Sequence, residues 1–182
     1  MRVIAGKYKG RTLFSPKGDA IRPTTDRIKE NVFNLIQGRI AGAAFLDLFG
    51  GTGAMSVEAL SRGAVRAVIV DASRDSVALI KKNFQKVGVG KEGQILEVPY
   101  DIALKRLTGE RFDLIYLDPP YRADYYEDIL ARIREADVLA ADGVVLFEHA
   151  TARGFSVVPG YEIADSRKYG SVTLEILKRV AE

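Results

Sequence analysis

The segment Asp118-Pro119-Pro120-Tyr121 has residue types suited to holding a flat ring that carries an amino group. Two consecutive prolines fix the backbone angle φ and lack N–H donors, so they predict a rigid turn. The carbonyl oxygens of that turn and the Asp118 carboxylate form a pocket that only accepts hydrogen bonds, and Tyr121 offers an aromatic face for stacking. Such a pocket matches an –NH₂ group with two protons to donate. The alternative interpretation is a Pro-Pro turn with a capping aspartate.

The chemistry that this pocket favours is attack by the amino nitrogen on a methyl group. The lone pair of such a nitrogen is normally delocalised into the ring. Acceptors that hold both protons favour a pyramidal nitrogen, whose lone pair can attack in line. Asp118 would stabilise the positive charge that develops there, and positioning of the nitrogen against the methyl group would supply much of the remaining rate.

A glycine-rich turn, Gly50-Gly51-Thr52-Gly53, follows the apolar run Phe45–Phe49 and precedes a helical pattern. Strand, tight turn and helix bring a backbone close to a nucleotide-like ligand, and Asp71, 20 residues after Gly51, can accept hydrogen bonds from ribose hydroxyls. A pyrophosphate is disfavoured, because Ser56 replaces the third glycine and the Asp47 carboxylate would repel it. Asp47 instead suits an ammonium group with a neighbouring sulfonium. The predicted ligand is an adenosine with a cationic tail; the alternative is a structural βα turn with a solvated Asp71.

The elements that would position these groups alternate along the chain. Strand-like runs are Phe45–Phe49, Ala67–Val70, Gln94–Val98, Asp113–Leu117 and Val144–Phe147, and helical patterns begin at about Thr25 and cover residues 54–62, 74–87 and 125–138. This alternation predicts βαβ units and a largely parallel sheet. Tyr161–Ala164 and Ser171–Leu177 predict an antiparallel hairpin at one edge, and residues 1–14 a short N-terminal hairpin. We expect one doubly wound, Rossmann-like α/β domain over 1–182, with a seven-stranded sheet, a basic N-terminal arm (1–24) and a catalytic core (25–182).

Size and composition are those of one globular domain. The chain has 182 residues, 47% hydrophobic and 28% charged, and no cysteine, which excludes disulfides and thiolate metal sites. The carboxylates show no metal-ligand spacing with histidine, so we expect no metal. No apolar run would span a bilayer and the first residues lack a signal-peptide pattern, so we expect a cytoplasmic protein.

Charge is unevenly distributed along the chain. Residues 1–39 carry nine Lys or Arg and three acids, a net +6, whereas the whole chain is +3 and the remaining residues therefore sum to −3. A basic arm on an acidic body indicates a polyanionic partner such as a nucleic acid. The alternative is a solvated hairpin.

Several segments resemble known methyltransferases. The strand ending in Asp118-Pro119-Pro120-Tyr121 resembles the motif shared by adenine-N6 and guanine-N2 methyltransferases, and Phe45–Gly53 resembles the S-adenosylmethionine loop of class I methyltransferases. The N-terminal segments Met1–Gly6, Gly10-Arg11 and Arg22–Glu30, together with Glu58–Gly63, are similar to the bacterial RsmD family of 16S ribosomal RNA guanine-N2 methyltransferases. This resemblance covers essentially the whole chain.

The resemblance implies a role for individual residues. Asp47, Gly51 and Gly53 would line the methionine end of S-adenosylmethionine, Asp71 would bind the ribose and Asp101 the adenine amino group. Asp118, Pro119 and Tyr121 would hold the target guanine, of the guanine 966 type. Expected RNA-binding residues are Arg2, Lys7, Lys9, Arg11, Arg22 and Arg27. The implied substrate is 16S ribosomal RNA in a partly assembled small subunit, and we expect a monomer.

Other functions remain open at this stage. A DNA or RNA adenine-N6 methyltransferase would use the same tetrapeptide, although DNA enzymes usually need an added recognition region. A non-catalytic RNA-binding module would not require the acceptor pocket. His149, the one histidine, is expected to be structural because methylation of an amino group needs no imidazole. Lys168-Tyr169-Gly170 is either an RNA-facing loop or a hairpin turn.

Overall fold

The computed structural model describes residues 1–16, 25–120 and 126–180 as an α/β domain. The helices are α1 (Asp26–Leu35), α2 (Gln37–Ile40), α3 (Ala54–Ser61), α4 (Arg74–Val87), α5 (Tyr100–Arg106) and α6 (Tyr126–Glu135). The strands are β1 (Ala44–Asp47), β2 (Arg66–Val70), β3 (Gly93–Leu96), β4 (Phe112–Leu117), β5 (Leu139–Ala150), β6 (Tyr161–Tyr169) and β7 (Val172–Arg179), and a short 3₁₀ turn covers Thr151–Arg153.

The seven strands form one sheet in the order β3-β2-β1-β4-β5-β7-β6. Strands β1 to β5 are parallel, whereas β7 runs antiparallel to both β5 and β6. The order of strands reverses between β1 and β4, which is the point where open α/β sheets hold ligands beyond the carboxyl ends of their strands. Register places Asp47 opposite Tyr116 and Leu117 opposite Phe147 at this edge.

Apolar side chains cover both faces of the sheet. One core contains residues of α1, α3, α4 and the N-terminal arm, and the other contains residues of α5 and α6. All four residues of β1 are buried, as expected for a central parallel strand covered on both faces. Thr25 caps α1 by accepting a hydrogen bond from the Ile28 amide (3.3 Å), which satisfies a donor that the helix itself leaves unpaired.

The predicted fold class is confirmed, including the antiparallel edge hairpin. The short N-terminal hairpin is present as an antiparallel bridge between Arg2 and Thr12, flanked by hydrogen bonds from the Val3 amide to the Arg11 carbonyl and from the Leu13 amide to the Met1 carbonyl (both 2.9 Å). Strand β5 is longer than the predicted Val144–Phe147 at both ends, because Leu139 pairs with Phe112 of β4 and the last residues, up to Ala150, pair with β7. Helix α5 was not predicted. Lys168 and Tyr169 lie inside β6, and Gly170 (φ +65°) makes the turn to β7.

No helix within residues 1–16, 25–120 and 126–180 is long and apolar enough to cross a membrane.

Candidate active site

The glycine loop lies between β1 and α3 at the edge where the strand order reverses. Gly51 (φ +56°) and Gly53 (φ +78°) adopt the left-handed conformation that favours glycine. A Cβ atom at Gly53 would also lie 3.3 Å from Ile80 of α4. The Gly53 amide donates to the Gly50 carbonyl (2.8 Å), so the loop closes tightly and leads directly into the first turn of α3. These two glycines lie where sequence spacing predicted a close backbone approach to a ligand.

Asp71 follows β2 and is bonded to the glycine loop. Its Oδ2 atom accepts from the Gly51 amide (2.9 Å) and its Oδ1 atom from the Ser73 amide (2.8 Å). These two bonds fix the orientation of a half-buried carboxylate. Each oxygen keeps a further acceptor position, so the group can still bind two hydroxyls. The acid 20 residues after Gly51 therefore contacts the loop directly, and its role in binding a ribose stays a prediction.

Asp47 ends β1 and is 1% exposed. It accepts hydrogen bonds from the Phe49 amide (3.3 Å) and the Ser56 hydroxyl (3.2 Å). Burial raises the pKa of this carboxyl from 3.8 to about 7, with the charge of Asp71 acting in the same direction. The free protein therefore holds Asp47 close to its midpoint of ionisation at neutral pH. A cationic ligand would favour the ionised form.

Asp101 lies in the first turn of α5 and is half-buried. The neighbouring Tyr100 ring lies 5.7 Å from the ring of Phe49, which follows β1. The hydroxyl of Tyr100 donates to Asp128 of α6 (2.7 Å). These contacts hold Tyr100, the residue before Asp101, against Phe49, which directly precedes the glycine loop; the role of Asp101 stays a prediction.

Asp118 follows β4, the strand beside β1, and β1 leads into the glycine loop. It is half-buried, Pro119 is buried and Pro120 is exposed. Tyr121 and Arg22, both predicted site residues, lie outside the described residues. Tyr116 lies two residues before Asp118, and its pKa is raised well above the ordinary value by burial and by the charges of Glu148, Asp118 and Asp47. The Tyr116 phenol is thus exposed to the negative charges of three carboxylates, those of Asp47, Asp118 and Glu148.

Tyr116 and Glu148 form a buried pair that the sequence did not reveal. The Tyr116 hydroxyl donates to Glu148 Oε2 at 2.6 Å, and the two residues are 1% and 5% exposed. Glu148 lies on β5 next to the end of β4, because Leu117 is opposite Phe147. The only sequence signal was an acid at the end of a predicted strand. This pair brings a further carboxylate to the edge that holds Asp118.

His149 follows Glu148 on β5, so its side chain points to the opposite face of the sheet from that of Glu148. Its Nε2 atom lies 3.1 Å from Glu175 Oε1, its Nδ1 atom lies 3.0 Å from the Ala150 carbonyl, and its ring stacks on Phe147 at 5.3 Å. The imidazole is 6% exposed. These contacts hold the imidazole in the core between Phe147 and Glu175, and its structural role stays a prediction.

The predicted RNA-binding residues differ in how they are held. Arg2 lies 3.8 Å from Asp26, and Lys7 lies 3.5 Å from Glu92. Arg11 donates to the Val87 carbonyl of α4 and lies over the Tyr8 ring (5.4 Å). Lys9 and Arg27 are exposed. The described part of the arm therefore packs on the rest of the domain. Its Lys and Arg side chains lie around the outside of the contact.

A buried ionic cluster centred on Glu58 anchors the arm. Glu58 is 0% exposed and accepts from the amides of Ile4 (2.9 Å) and Ala5 (3.0 Å). It also pairs with Arg62 (2.8 Å) and with the fully buried Lys29 (3.5 Å). Burial lowers the pKa of Lys29, while the charges of Glu58 and Asp26 raise it. Glu58 lies on α3, so the arm is fixed to the helix that follows the glycine loop.

The residues that the structure describes contain no group of three or more His, Asp or Glu side chains placed to hold a metal ion.

Comparison with known proteins finds similarity along nearly the whole chain. The family model described as conserved hypothetical protein 95 matches residues 1–178. The YlbH protein of Bacillus subtilis (strain 168) is 39% identical over 153 residues, which are 82% of this chain and 82% of that protein. Ribosomal RNA small subunit methyltransferase D of Escherichia coli (strain K12) is 28% identical over 183 residues, covering 100% of this chain and 91% of that protein. The solved structure of yhhF from Escherichia coli has a TM-score of 0.89 and 27% identity, covering 100% of this chain and 99% of the other. The predicted class I methyltransferase fold is thereby confirmed.

Proposed function

The chain belongs to the family described as conserved hypothetical protein 95, and on that premise we propose that it methylates the exocyclic N2 amino group of a guanine in small-subunit ribosomal RNA. The names of its relatives support methylation of ribosomal RNA with S-adenosylmethionine as cofactor. The guanine N2 atom, a site of the guanine 966 type, a partly assembled subunit as substrate and a monomeric enzyme are our proposal.

The observation that carries the proposal is the convergence of carboxylates on one crevice. Asp47 ends β1 and Asp118 follows β4, and these strands are neighbours at the point where the strand order reverses. A cation on one side and an amino group on the other are both ligands that carboxylates bind strongly. The crevice is therefore suited to holding a cationic methyl donor against an amino acceptor.

The residues of the first three strands fit the cofactor. S-adenosylmethionine, when bound, supplies a methyl group on a positively charged sulfur. Asp47 would hold the cationic end, since its ionised form gains from a neighbouring positive charge. Asp71, oriented by the Gly51 and Ser73 amides, would accept hydrogen bonds from the ribose hydroxyls. Asp101 at the start of α5 would accept one from the adenine amino group.

The residues after β4 fit the acceptor base. Asp118 and the carbonyl oxygens of the proline turn would hold the protons of the amino group, which leaves its lone pair directed at the methyl carbon. The amino nitrogen would take up the methyl group that the cofactor supplies, which would leave a neutral thioether, and would release one proton to water. Asp118 would stabilise the positive charge on nitrogen before that proton leaves. Tyr121 would stack on the ring.

The surroundings of Asp118 favour guanine over adenine. Guanine presents two neighbouring donors, N1–H and the N2 amino group, whereas adenine presents an acceptor, N1, beside its amino group. Glu148 adds a second carboxylate on the strand next to Asp118. A site rich in acceptors leaves an adenine N1 facing another acceptor, which costs binding energy because the pair cannot form a hydrogen bond.

A transfer experiment with several substrates tests the proposal. Labelled S-adenosylmethionine is offered in parallel with small subunits at different assembly stages, naked 16S ribosomal RNA, duplex DNA and ribosomal proteins, and the labelled nucleosides are separated. We expect N2-methylguanosine from the ribosomal RNA of subunits. N6-methyladenosine would replace the proposal with the adenine alternative, and label in protein alone would refute a nucleic-acid substrate.

A further inference from the structure

Two segments that are far apart in sequence form one surface. Residues 1–16 of the arm and residues 74–92, which contain α4, share a core that includes Tyr8, Phe84 and Val87. The contacts between them are Tyr8 Oη to the Gly88 carbonyl (3.5 Å), Lys86 Nζ to Thr12 Oγ1 (3.0 Å), the Phe14 amide to Asn83 Oδ1 (2.7 Å) and Asn83 Nδ2 to the Phe14 carbonyl (3.1 Å). The outer face of the arm therefore continues onto the outer face of α4.

This joined surface has a net positive charge, whereas the rest of the protein has a net negative one. Residues 1–16 and 74–92 contain nine Lys or Arg and two acids, a net +7, whereas the whole chain is +3, so the remaining 147 residues sum to −4. Most apolar side chains of both segments face the core, whereas Phe14 and the cations Lys9, Arg11, Lys81, Lys82 and Lys86 are exposed. The excess positive charge lies on one side of the sheet, the side that α4 covers.

An exposed aromatic ring lies where the arm meets α4. Phe14 is 46% exposed, and the Lys86 ammonium lies 4.3 Å from the centre of its ring. An aromatic ring next to cations is the combination with which proteins hold single-stranded nucleic acid, because bases stack on the ring while the cations bind phosphates.

The position of the cations on α4 has no complete structural explanation. Lys86 lies in the last turn, where a cation stabilises the helix dipole. Lys82 lies one turn earlier on the same side, and like charges four residues apart repel each other. A polyanion bound across both residues would remove that repulsion.

We propose that the arm and α4 form a single RNA-binding surface, in which Lys82 and Lys86 bind phosphates together with Lys9 and Arg11 and a base stacks on Phe14. This inference rests on the proposed function, since it takes ribosomal RNA as the ligand. It adds RNA contacts on α4 to those of the arm, and the sequence alone predicted no RNA contact on that helix.

The test compares two double variants with the same loss of charge. Lys82→Gln with Lys86→Gln removes the α4 cations, and Lys105→Gln with Arg106→Gln removes two exposed cations from α5 on the opposite face of the sheet. Binding to naked 16S ribosomal RNA is measured over a series of salt concentrations. Neutralising two phosphate contacts should reduce the slope of log affinity against log salt by about 1.4–1.8 in the α4 variant. The α5 variant should keep the slope of the parent.

A third variant tests the aromatic part of the surface. Phe14→Leu keeps an apolar side chain and loses the stacking face, so RNA affinity should fall on the order of tenfold with an unchanged salt slope. Cofactor affinity should equal that of the parent in all three variants. Equal slopes for the α4 and α5 variants, or full RNA affinity in Phe14→Leu, would overturn the inference. Methyl transfer to RNA by the parent tests the proposed function separately, so the two failures are distinguishable.

Discussion

Replacement of Asp47 by asparagine should stabilise the free protein at alkaline pH. The native carboxyl is 1% exposed, and its pKa is about 7 instead of 3.8. A raised pKa in the folded state means that stability is fully present below pH 3.8 and is lost as pH rises through about 7. Each pKa unit corresponds to about 1.4 kcal/mol, so the ionised carboxylate costs about 4 kcal/mol at pH 8. The asparagine side chain cannot ionise, and its amide can still bond the Phe49 amide and the Ser56 hydroxyl.

Urea denaturation of the parent and of Asp47→Asn at pH 4 and pH 8 measures this difference. We expect Asp47→Asn to exceed the parent by up to about 4 kcal/mol at pH 8 and to match it closely at pH 4. Ser56→Ala is a useful comparison, since it removes one hydrogen bond to the carboxylate and should further destabilise the parent at pH 8.

Cofactor binding should show the opposite effect of the same substitution. A cationic ligand binds the ionised carboxylate, so binding below pH 7 must release a proton. Affinity of the parent should rise by up to tenfold per pH unit toward pH 7, because 1.4 kcal/mol corresponds to one tenfold step. Calorimetry in buffers of different ionisation enthalpy should give close to one proton released at pH 6 and about half a proton at pH 7. Asp47→Asn should bind weakly and release none.

Two results would refute this reasoning. A parent that releases no proton at pH 6 would show that Asp47 is already ionised or does not meet the cation. An asparagine variant no more stable than the parent at pH 8 would show that the buried carboxylate is stabilised by groups other than the Phe49 and Ser56 donors.

Three further substitutions test the other parts of the structure. Asp71→Ala should weaken cofactor binding by about 1.5–3 kcal/mol, the scale of hydrogen bonds to a charged group, and unchanged affinity by calorimetry would remove it from the site. Asp118→Ala should lower kcat on the order of 10²–10³ with little change in RNA binding; Asp118→Asn keeps one acceptor and should retain more activity, which single-turnover methylation measures. Glu58→Gln removes the buried charge that pairs with Lys29 and Arg62, leaves the half-exposed Asp26 as the remaining carboxylate near Lys29, and should cost about 3–5 kcal/mol in urea denaturation; a loss below about 1 kcal/mol would contradict the role assigned to the cluster.

The parts of the fold that sequence predicted well are those in which local pattern and burial agree. Neighbouring residues alone predict the run Phe45–Phe49, the glycine loop and the helix after it. The combined length of α3 and β2 then sets how far along the chain Asp71 follows the glycine loop. Helix α5 was missed because it has only seven residues and begins after Pro99. In the sequence, that proline indicates a loop.

Interactions between distant segments were not predictable in the same way. Glu58 looks like an ordinary surface acid of a helix, but it is 0% exposed where the arm and Lys29 of α1 contact it. The Tyr116–Glu148 pair joins two strands whose register no local pattern reveals. A count of charges along the chain gives residues 40–182 a net −3. In the fold, however, the cations of α4 lie beside those of the basic arm. Each of these depends on which elements become neighbours, which is information that spacing within one element does not contain.

The separation of charge in the fold constrains how a nucleic acid can reach the crevice. Phosphates are attracted to the arm and α4 and repelled by the carboxyl edge, where Asp47, Asp71, Asp118 and Glu148 gather. A base stacked within a duplex cannot enter that edge without bringing its own phosphates with it. Under the proposed function, the target base would have to be unpaired or turned out of its stack, so that only the neutral ring with its amino group meets the carboxylates while the backbone stays on the basic side. An acidic catalytic edge beside a basic binding face would thus select single-stranded segments of RNA without any base-specific contact outside the pocket.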